Sequence, residues 1–419
     1  MRLAYVCADS GIPIESTKGA AVHVRSLSRE LALASGNLLL VGHMRKKSDS
    51  DNGGPAAMWG TRQLPLRVVT IREEMVGRPV PPPSGDCRVE KRLLENEVVH
   101  DVLRHEHDSE AFDGVYERYS LWSAGAAEFC RRNGVPHVLE VNAPLAWEEA
   151  RYRNLAVPHA ALFHERAIFQ AADHIVAVSN EVAAHVTSLG VDEDRVHVQP
   201  NGFDRALFTE RTSPSQPRPQ SLPEKREGDF WIVFVGSLKP WHGVEVLLEA
   251  FASLARKDSS CRLLLVGKGP MADLVRDRFA PECESGAIVL TGACRHEEIP
   301  RILSFADIGV APYPRLDHFY FSPLKIIEYA AAGLPFVASR TGQVKDLFRS
   351  GESAWLVEPG DAAALEAGIE HLRSNRSLRS KIAAGARQVV KPLSWDRNAD
   401  RMIRLMLTEP SRRLSTQGT

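Results

Sequence analysis

The chain has 419 residues, 44% of them apolar, and its 52 Lys and Arg nearly balance its 53 Asp and Glu. That length favours two hydrophobic cores over one, and the balanced charge points to neither nucleic acid nor a strongly acidic partner. No apolar run approaches a membrane span, and the one at Leu3–Cys7 is too short for a secretory signal. A cytoplasmic protein is therefore expected, with the inner face of a membrane as a second place of work. Six scattered cysteines without a CxxC pair read as buried thiols, not as a disulfide or zinc framework.

In chain order, short β-branched runs alternate with amphipathic stretches. Strands are expected at Leu3–Cys7, Leu38–Val41, Val68–Ile71, Gly114–Tyr116, His137–Val141 and His174–Val178. Between the first two, Val24, Leu27 and Leu31 recur at helical spacing. This alternation predicts α/β architecture, a doubly wound parallel sheet with helices on both faces. It stops at residues 209–228, where Pro, Ser and charges predict a linker or exposed loop. It resumes with strands at Trp231–Val235, Arg262–Val266, Ala287–Leu290, Ile308–Ala311, Phe336–Ala338 and Ala354–Val357. The expected domains are thus 1–208 and 229–394, two facing Rossmann-like units with a cleft between them. A last helix, about 395–407, carries Ile403 and Leu407 on one side with Met402 and Met406 beside them. It is expected to pack back on the first domain or to make weak peripheral contact with a membrane. The polar tail after Thr408 is expected to fray. Oligomeric state leaves no trace in the residues.

In such sheets, ligands meet the carboxyl ends of the strands. After the first strand comes KGAAVHV, where Gly19 and Ala20 let a ligand approach a helix start; His23 follows, as a cleft residue or a structural one. After FWIVFV comes GSLKPWHG, placing Ser237, Lys239 and His242 in one loop. A cation there would neutralise a diphosphate leaving group; a solvated surface lysine is the plain alternative. Gly267 opens GKGP at the next strand end. On the acceptor side, HVLEVNAP ends a strand with Glu140 and Asn142. Glu140 reads as a base or as a hydrogen-bonded structural residue, and Asn142 as a group that orients a hydroxyl.

The most informative segment is FSPLKIIEYAAAGLPFVAS, residues 321–339. Ser322 suits a helix cap and Pro323 the first turn, so the N–H groups of Leu324 and Lys325 would face a phosphate, with Lys325 adding a cation. Glu328, one turn on, would accept from sugar or ribose hydroxyls. The combination suggests a nucleotide-sugar site.

The ordered series KGAAVHVRSL, VAVSNEV, VQPNGFD, FVGSLKPWHG, LLLVGKGP, LTGACRHEEIPRILSFADIGVAPY and SPLKIIEYAAAGLPFVAS resembles the retaining glycosyltransferases of family 4, which have the GT-B fold. The resemblance covers roughly residues 1–395. It implies a UDP- or GDP-type sugar on the second domain, a glycan, lipid-linked or small-molecule hydroxyl acceptor on the first, and no metal or other cofactor. By that likeness Glu328 holds the ribose, Leu324 and Lys325 meet the diphosphate, and Gly19 and Ala20 approach the phosphates. The chain also departs from the pattern. Tyr320 stands where the family often has a first glutamate, Pro323 replaces a glycine, and the usual Arg and Lys clamp falls at Ser237 and His242. Lys239 is then expected to carry the clamp's charge, with His242 as a substitute when protonated. No good pair of inward carboxylates suggests double displacement, so front-face attack assisted by the donor phosphate is expected. The rival readings are a nucleotide-sugar-binding subunit without transfer, a sugar epimerase of the same fold, and a Rossmann dehydrogenase. The last lacks GxGxxG after the first strand.

Overall fold

The computed structural model describes residues 1–44, 64–76, 78, 87–210, 219 and 221–408. They form two compact units. The first comprises Met1–Pro200, Tyr320–Ser322 and the stretch from Trp395 onward; the second comprises Asn201–Phe319 and Pro323–Ser394.

The first unit is built on β1 (Arg2–Cys7), β2 (Asn37–Gly42), β3 (Leu66–Thr70), β4 (Gly114–Arg118), β5 (His137–Val141), β6 (His174–Ala177) and β7 (Val196–Val198). Their order is β3-β2-β1-β4-β5-β6-β7, and every pairing is parallel. Strand β1 is buried at all six positions, as a central strand covered on both faces must be. The order reverses direction between β1 and β4, which makes that the unit's switch point. Strand β7 was not among the expected strands. It is three residues long, half-buried, and its middle residue is a histidine. The expected strand at Val68–Ile71 ends at Thr70, because Ile71 opens a short helix.

The second unit is built on β8 (Phe230–Val235), β9 (Cys261–Val266), β10 (Ile288–Gly292), β11 (Ile308–Ala311), β12 (Phe336–Ser339) and β13 (Trp355–Val357). All pairings are again parallel, in the order β10-β9-β8-β11-β12-β13, with the switch between β8 and β11. Helix Val244–Lys257 packs Leu247, Leu248, Phe251 and Leu254 from one face into a core that also holds Phe234, Leu265 and Ile308. Two doubly wound parallel sheets are thus the architecture the alternating pattern predicts.

The units divide at Pro200/Asn201, upstream of the expected linker. The reason is apolar burial: Phe203, Leu207 and Phe208 are all buried, and helix Arg205–Glu210 lies against helix Leu324–Ala332 of the second unit. Within that unit the entering and leaving chains run side by side, Phe203 N–H donating to Leu393 O at 3.1 Å. Residues 211–218 and 220 of the expected linker, and the tail beyond Thr408, lie outside the described residues.

Helix Trp395–Leu407 belongs to the first unit and packs on helix Gly19–Ser35. Trp395, Met402 and Met406 are buried there, and the Trp395 ring sits 4.7 Å from the His23 ring. Polar groups fix its register: Gln199 Nε2 donates to Asn398 Oδ1 at 2.8 Å, and Arg401 Nη1 to Gln199 Oε1 at 2.7 Å. Among the described residues no helix is long and apolar enough to cross a membrane. Cys7, Cys130, Cys261, Cys283 and Cys294 are free thiols.

Candidate functional site

At the carboxyl edge of the second sheet the backbones approach so closely that only glycine fits. Gly267 has φ 144°, and a Cβ there would stand 1.9 Å from Gly236 O. Gly243 has φ 74°, and its Cβ would meet Pro312 O at 1.6 Å. Both conformations and both contacts exclude a side chain. The loop after β8 is thereby pressed against the turn after β11, at the switch point.

In that loop the His242 Nδ1–H donates to Ser237 O at 2.6 Å, which leaves Nε2 as an acceptor. Burial, reinforced by the nearby Lys325, pulls the His242 imidazole down to about 3. His242 is therefore neutral at physiological pH, a correction to its expected role as a substitute cation: the site is too dry and already holds positive charge. Lys239 is half-buried, its Nζ 4.6 Å from the centre of the 42%-exposed Trp241 ring.

Helix Leu324–Ala332 opens beside this loop. Its N-cap is Pro323, at φ −78° and ψ 105°, with no side-chain cap bond, so Ser322 is not the cap as expected. The proline keeps Ser322 out of helical conformation, and Ser322 falls in the first unit. The first turn bond runs from Ile326 N–H to Pro323 O at 3.2 Å, placing the amides of Leu324 and Lys325 at the mouth of the helix.

Lys325 is 92% buried by its 8% exposure, and its Nζ has no hydrogen-bond partner. The ammonium sits 4.0 Å from the Phe234 ring centre and 5.4 Å from that of Tyr313. Burial alone pulls it down to about 7. Glu328, one turn deeper, is 6% exposed and accepts from His296 Nε2 at 2.6 Å. Burial presses the His296 imidazole down, but the Glu328 carboxylate outweighs it and holds the imidazole above its ordinary value. His296 lies in the quoted stretch LTGACRHEEIP and was not singled out there. Nothing in local spacing ties it to a residue 32 positions later.

The first unit carries a different cluster at its own switch point. Glu140 is 1% exposed and accepts from His23 Nε2 at 2.9 Å, Tyr116 OH at 2.5 Å and Arg118 Nη1 at 2.7 Å. Asn142, half-buried, also donates to Glu140 through its amide. Burial pushes this carboxyl up, yet His23 and Arg118 together drive it down to about 2. So strongly held an anion takes up no proton near neutral pH. The base reading of Glu140 is therefore corrected to the structural one. Arg118, like Glu117, follows the strand GVY as a cleft-edge candidate, and strand period two also puts Tyr116 on its face of β4. Glu117, on the other face, is taken by His137 Nε2 at 3.0 Å and Ser123 Oγ at 2.8 Å.

Gly19 is exposed and Ala20 half-buried at the start of helix Gly19–Ser35, whose N-cap Lys18 makes no side-chain cap bond. Tyr320 falls in the first unit: its OH donates to Glu148 Oε2 at 2.9 Å, and its carbonyl accepts from Ser179 Oγ at 2.9 Å. The structure therefore places Ser237, Lys239, His242, Gly267, Leu324, Lys325 and Glu328 on the second unit, and Gly19, Ala20, His23, Glu140, Asn142, Tyr320 and Ser322 on the first.

Two parallel sheets, each with polar groups near its switch point, define a protein of two Rossmann-like units. Family models match both units: "Glycosyltransferase Family 4" over residues 17–207 and "Glycosyl transferases group 1" over residues 229–375. The chain belongs to the glycosyltransferases of GT-B fold, with family 4 character in its first unit. It is 28% identical over 324 residues to the D-inositol 3-phosphate glycosyltransferase of Thermomonospora curvata, covering 72% of this chain and 73% of that one. Anabaena HepE, solved in complex with UDP and glucose, is similar with a TM-score of 0.66 at 17% identity, covering 99% and 100% of the two chains. The sucrose-phosphate synthase of Thermosynechococcus elongatus has a TM-score of 0.68 at 19% identity and covers 100% of both. At those identities the solved structures speak for the fold.

Proposed function

We propose that the chain transfers a sugar from a nucleoside-diphosphate sugar to a hydroxyl acceptor, with retention at the anomeric carbon and no required metal. The observation that carries this reading is the edge of the second sheet, where a nine-residue helix opens on the switch point with Lys325 in its first turn and Glu328 in its second. An uncapped helix start with a lysine suits a diphosphate, and a buried carboxylate 2.6 Å from an imidazole suits a pair of ribose hydroxyls. The likeness to HepE, a protein solved with UDP and glucose, supports a UDP-type donor.

The chemistry follows from what these groups offer. Positive charge and amide dipoles would stabilise the departing diphosphate, whose own oxygen would draw the proton from the attacking hydroxyl on the same face. The protein's part is alignment, exclusion of water and charge neutralisation. The first unit would take the acceptor, with Asn142, held in place by Glu140, orienting the hydroxyl. The relatives named D-inositol 3-phosphate glycosyltransferase make a phosphorylated polyol the first acceptor to test.

A thermal-shift screen against UDP-, GDP-, ADP- and dTDP-sugars tests the donor, because a ligand of the native state raises its melting temperature. Turnover with D-inositol 3-phosphate and other hydroxyl acceptors, followed by NMR of the product's anomeric proton, tests transfer and retention. Binding without turnover on any acceptor would favour the binding-subunit reading, and an inverted product would sink the front-face mechanism.

A further inference from the structure

Resting on the donor site proposed above, we propose that Lys325 Nζ is the group that neutralises the donor diphosphate, and that it gains its proton only as the diphosphate arrives. Donor binding is then a proton-uptake step.

The argument begins with what surrounds the amine. Lys325 is 8% exposed and its Nζ lacks a hydrogen-bond partner. A buried ammonium is ordinarily paired or solvated, because desolvation without compensation is costly. Here the neighbours are the faces of Phe234 and Tyr313, at 4.0 and 5.4 Å from the ring centres. The titratable and charged groups on the packed elements add no anion. From the loop after β8 come the neutral His242 and, beyond it, the cation Lys239. After β11 comes the Tyr313 phenol, and from the helix itself the Tyr329 phenol, which accepts from Val235 N–H at 2.9 Å. Glu328 is engaged by His296. Among the described residues no carboxylate pairs with Nζ.

A glycine stands against the buried amine. It is Gly236, on the β8 side, where an added Cβ would come within 3.1 Å of Nζ and 3.2 Å of Cε. Any side chain there would crowd the amine. Gly236 therefore leaves room for Nζ beside the helix start that presents the amides of Leu324 and Lys325. With burial drawing the amine down to about 7, the empty site holds a largely neutral lysine in slightly alkaline solution. A dianionic diphosphate supplies the missing counter-charge. The Nζ lone pair then takes a proton from the acid form of the buffer, and the ammonium–phosphate pair replaces amine and hydrated anion. When the nucleoside diphosphate leaves, the proton returns to solvent. Lys325 is thus a catalytic residue of the transfer itself, charged while the glycosidic phosphate bond breaks. Lys239, partly exposed and stacked on Trp241, acts at longer range.

Calorimetry with UDP as the probe tests this. At pH 8 the wild-type protein should take up about 0.9 proton per UDP, the neutral fraction of a group near 7, read from the heats in Tris and HEPES. UDP affinity should fall about tenfold per pH unit above 7, and Lys325→Met should abolish both the uptake and the pH dependence while weakening binding. Lys325→Arg, charged at every accessible pH, should bind without uptake. UDP binding with equal heats in both buffers overturns the protonation step and leaves the donor site standing. Wild-type affinity in a folded Lys325→Met protein overturns the assignment to Lys325. No binding by UDP, GDP, ADP or dTDP at millimolar concentration overturns both this step and the donor reading beneath it.

Discussion

Replacing Lys325 by methionine should make the protein more stable in the empty state, and the gain should depend on pH in a defined way. The substitution keeps an unbranched apolar chain as far as Cε and removes the ionisable head that stands over the Phe234 and Tyr313 rings. Burial lowers the group from 10.5 to about 7, and at 1.36 kcal/mol per unit the cost of holding the charge in the folded state is about 5 kcal/mol. The sign follows from linkage. Below pH 7 the lysine is charged both folded and unfolded, so the whole cost falls on the native state. Between 7 and 10.5 the unfolded chain binds the proton and the native chain does not, so wild-type stability climbs with pH. The methionine variant should therefore lead by about 5 kcal/mol at pH 6 and by about 3 kcal/mol at pH 8.5. Hydrogen exchange of peptides covering β8 and helix Leu324–Ala332, compared at each pH, reads this locally. It requires no two-state unfolding of a chain with two units. A difference that is flat between pH 6 and 8.5, or a less stable variant at pH 6, would refute the reasoning.

Glu328→Ala should weaken nucleotide-sugar binding by about 1–3 kcal/mol, the value of one charged hydrogen-bonding group. The same change should let the buried His296 titrate lower, which an NMR pH titration of its ring would show; an unmoved His296 would mean Glu328 is not its partner. Glu140→Gln should cost about 3–5 kcal/mol, because it strands the His23 and Arg118 donors in a dry site. In the wild type, Glu140 contributes stability present above 4.5 and lost as pH falls toward 2, so the variant's acid unfolding limb should be shallower over that range. Trp395→Ala should cost about 3–5 kcal/mol and loosen helix Trp395–Leu407, seen as lost exchange protection there and across helix Gly19–Ser35.

The fold was legible because a covered parallel sheet writes each central strand as an apolar run, and twelve of the thirteen strands among the described residues carry one. Strand β7 carries none: its side chains are half-buried and include His197, so no run marks it. The unit boundary was missed for a related reason. Low-complexity composition marks where a core cannot form, but Phe203, Leu207 and Phe208, upstream of it, are already buried residues of the second unit. In the candidate site, what depends on backbone and position was legible: the close approach at Gly267 and Gly243, and the helix start that carries Lys325 and Glu328. Residues that act through a partner distant in sequence were not. His296 reaches Glu328 across 32 residues, and Tyr116 and Arg118 reach Glu140 across 24 and 22. The charge state of His242 was equally hidden, since it depends on dryness and on Lys325.

Glu140 and Lys325 show why burial alone does not distinguish a structural ion from a functional one. Both lie at the switch point of their sheet, and both are more than nine-tenths buried. Glu140 meets the Arg118 cation, the His23 ring and two neutral donors, and the sum overrides desolvation and fixes the anion. Such a group is spent on holding β1's neighbours and helix Gly19–Ser35 in register. Lys325 meets two rings and a glycine, and desolvation is unopposed. Electrostatics left unfinished in the folded chain are available to a ligand; electrostatics already completed are not. On that criterion the second unit, with its unpaired amine, is where an anion gains most by binding, and the first unit's cluster is scaffold for whatever Asn142 presents.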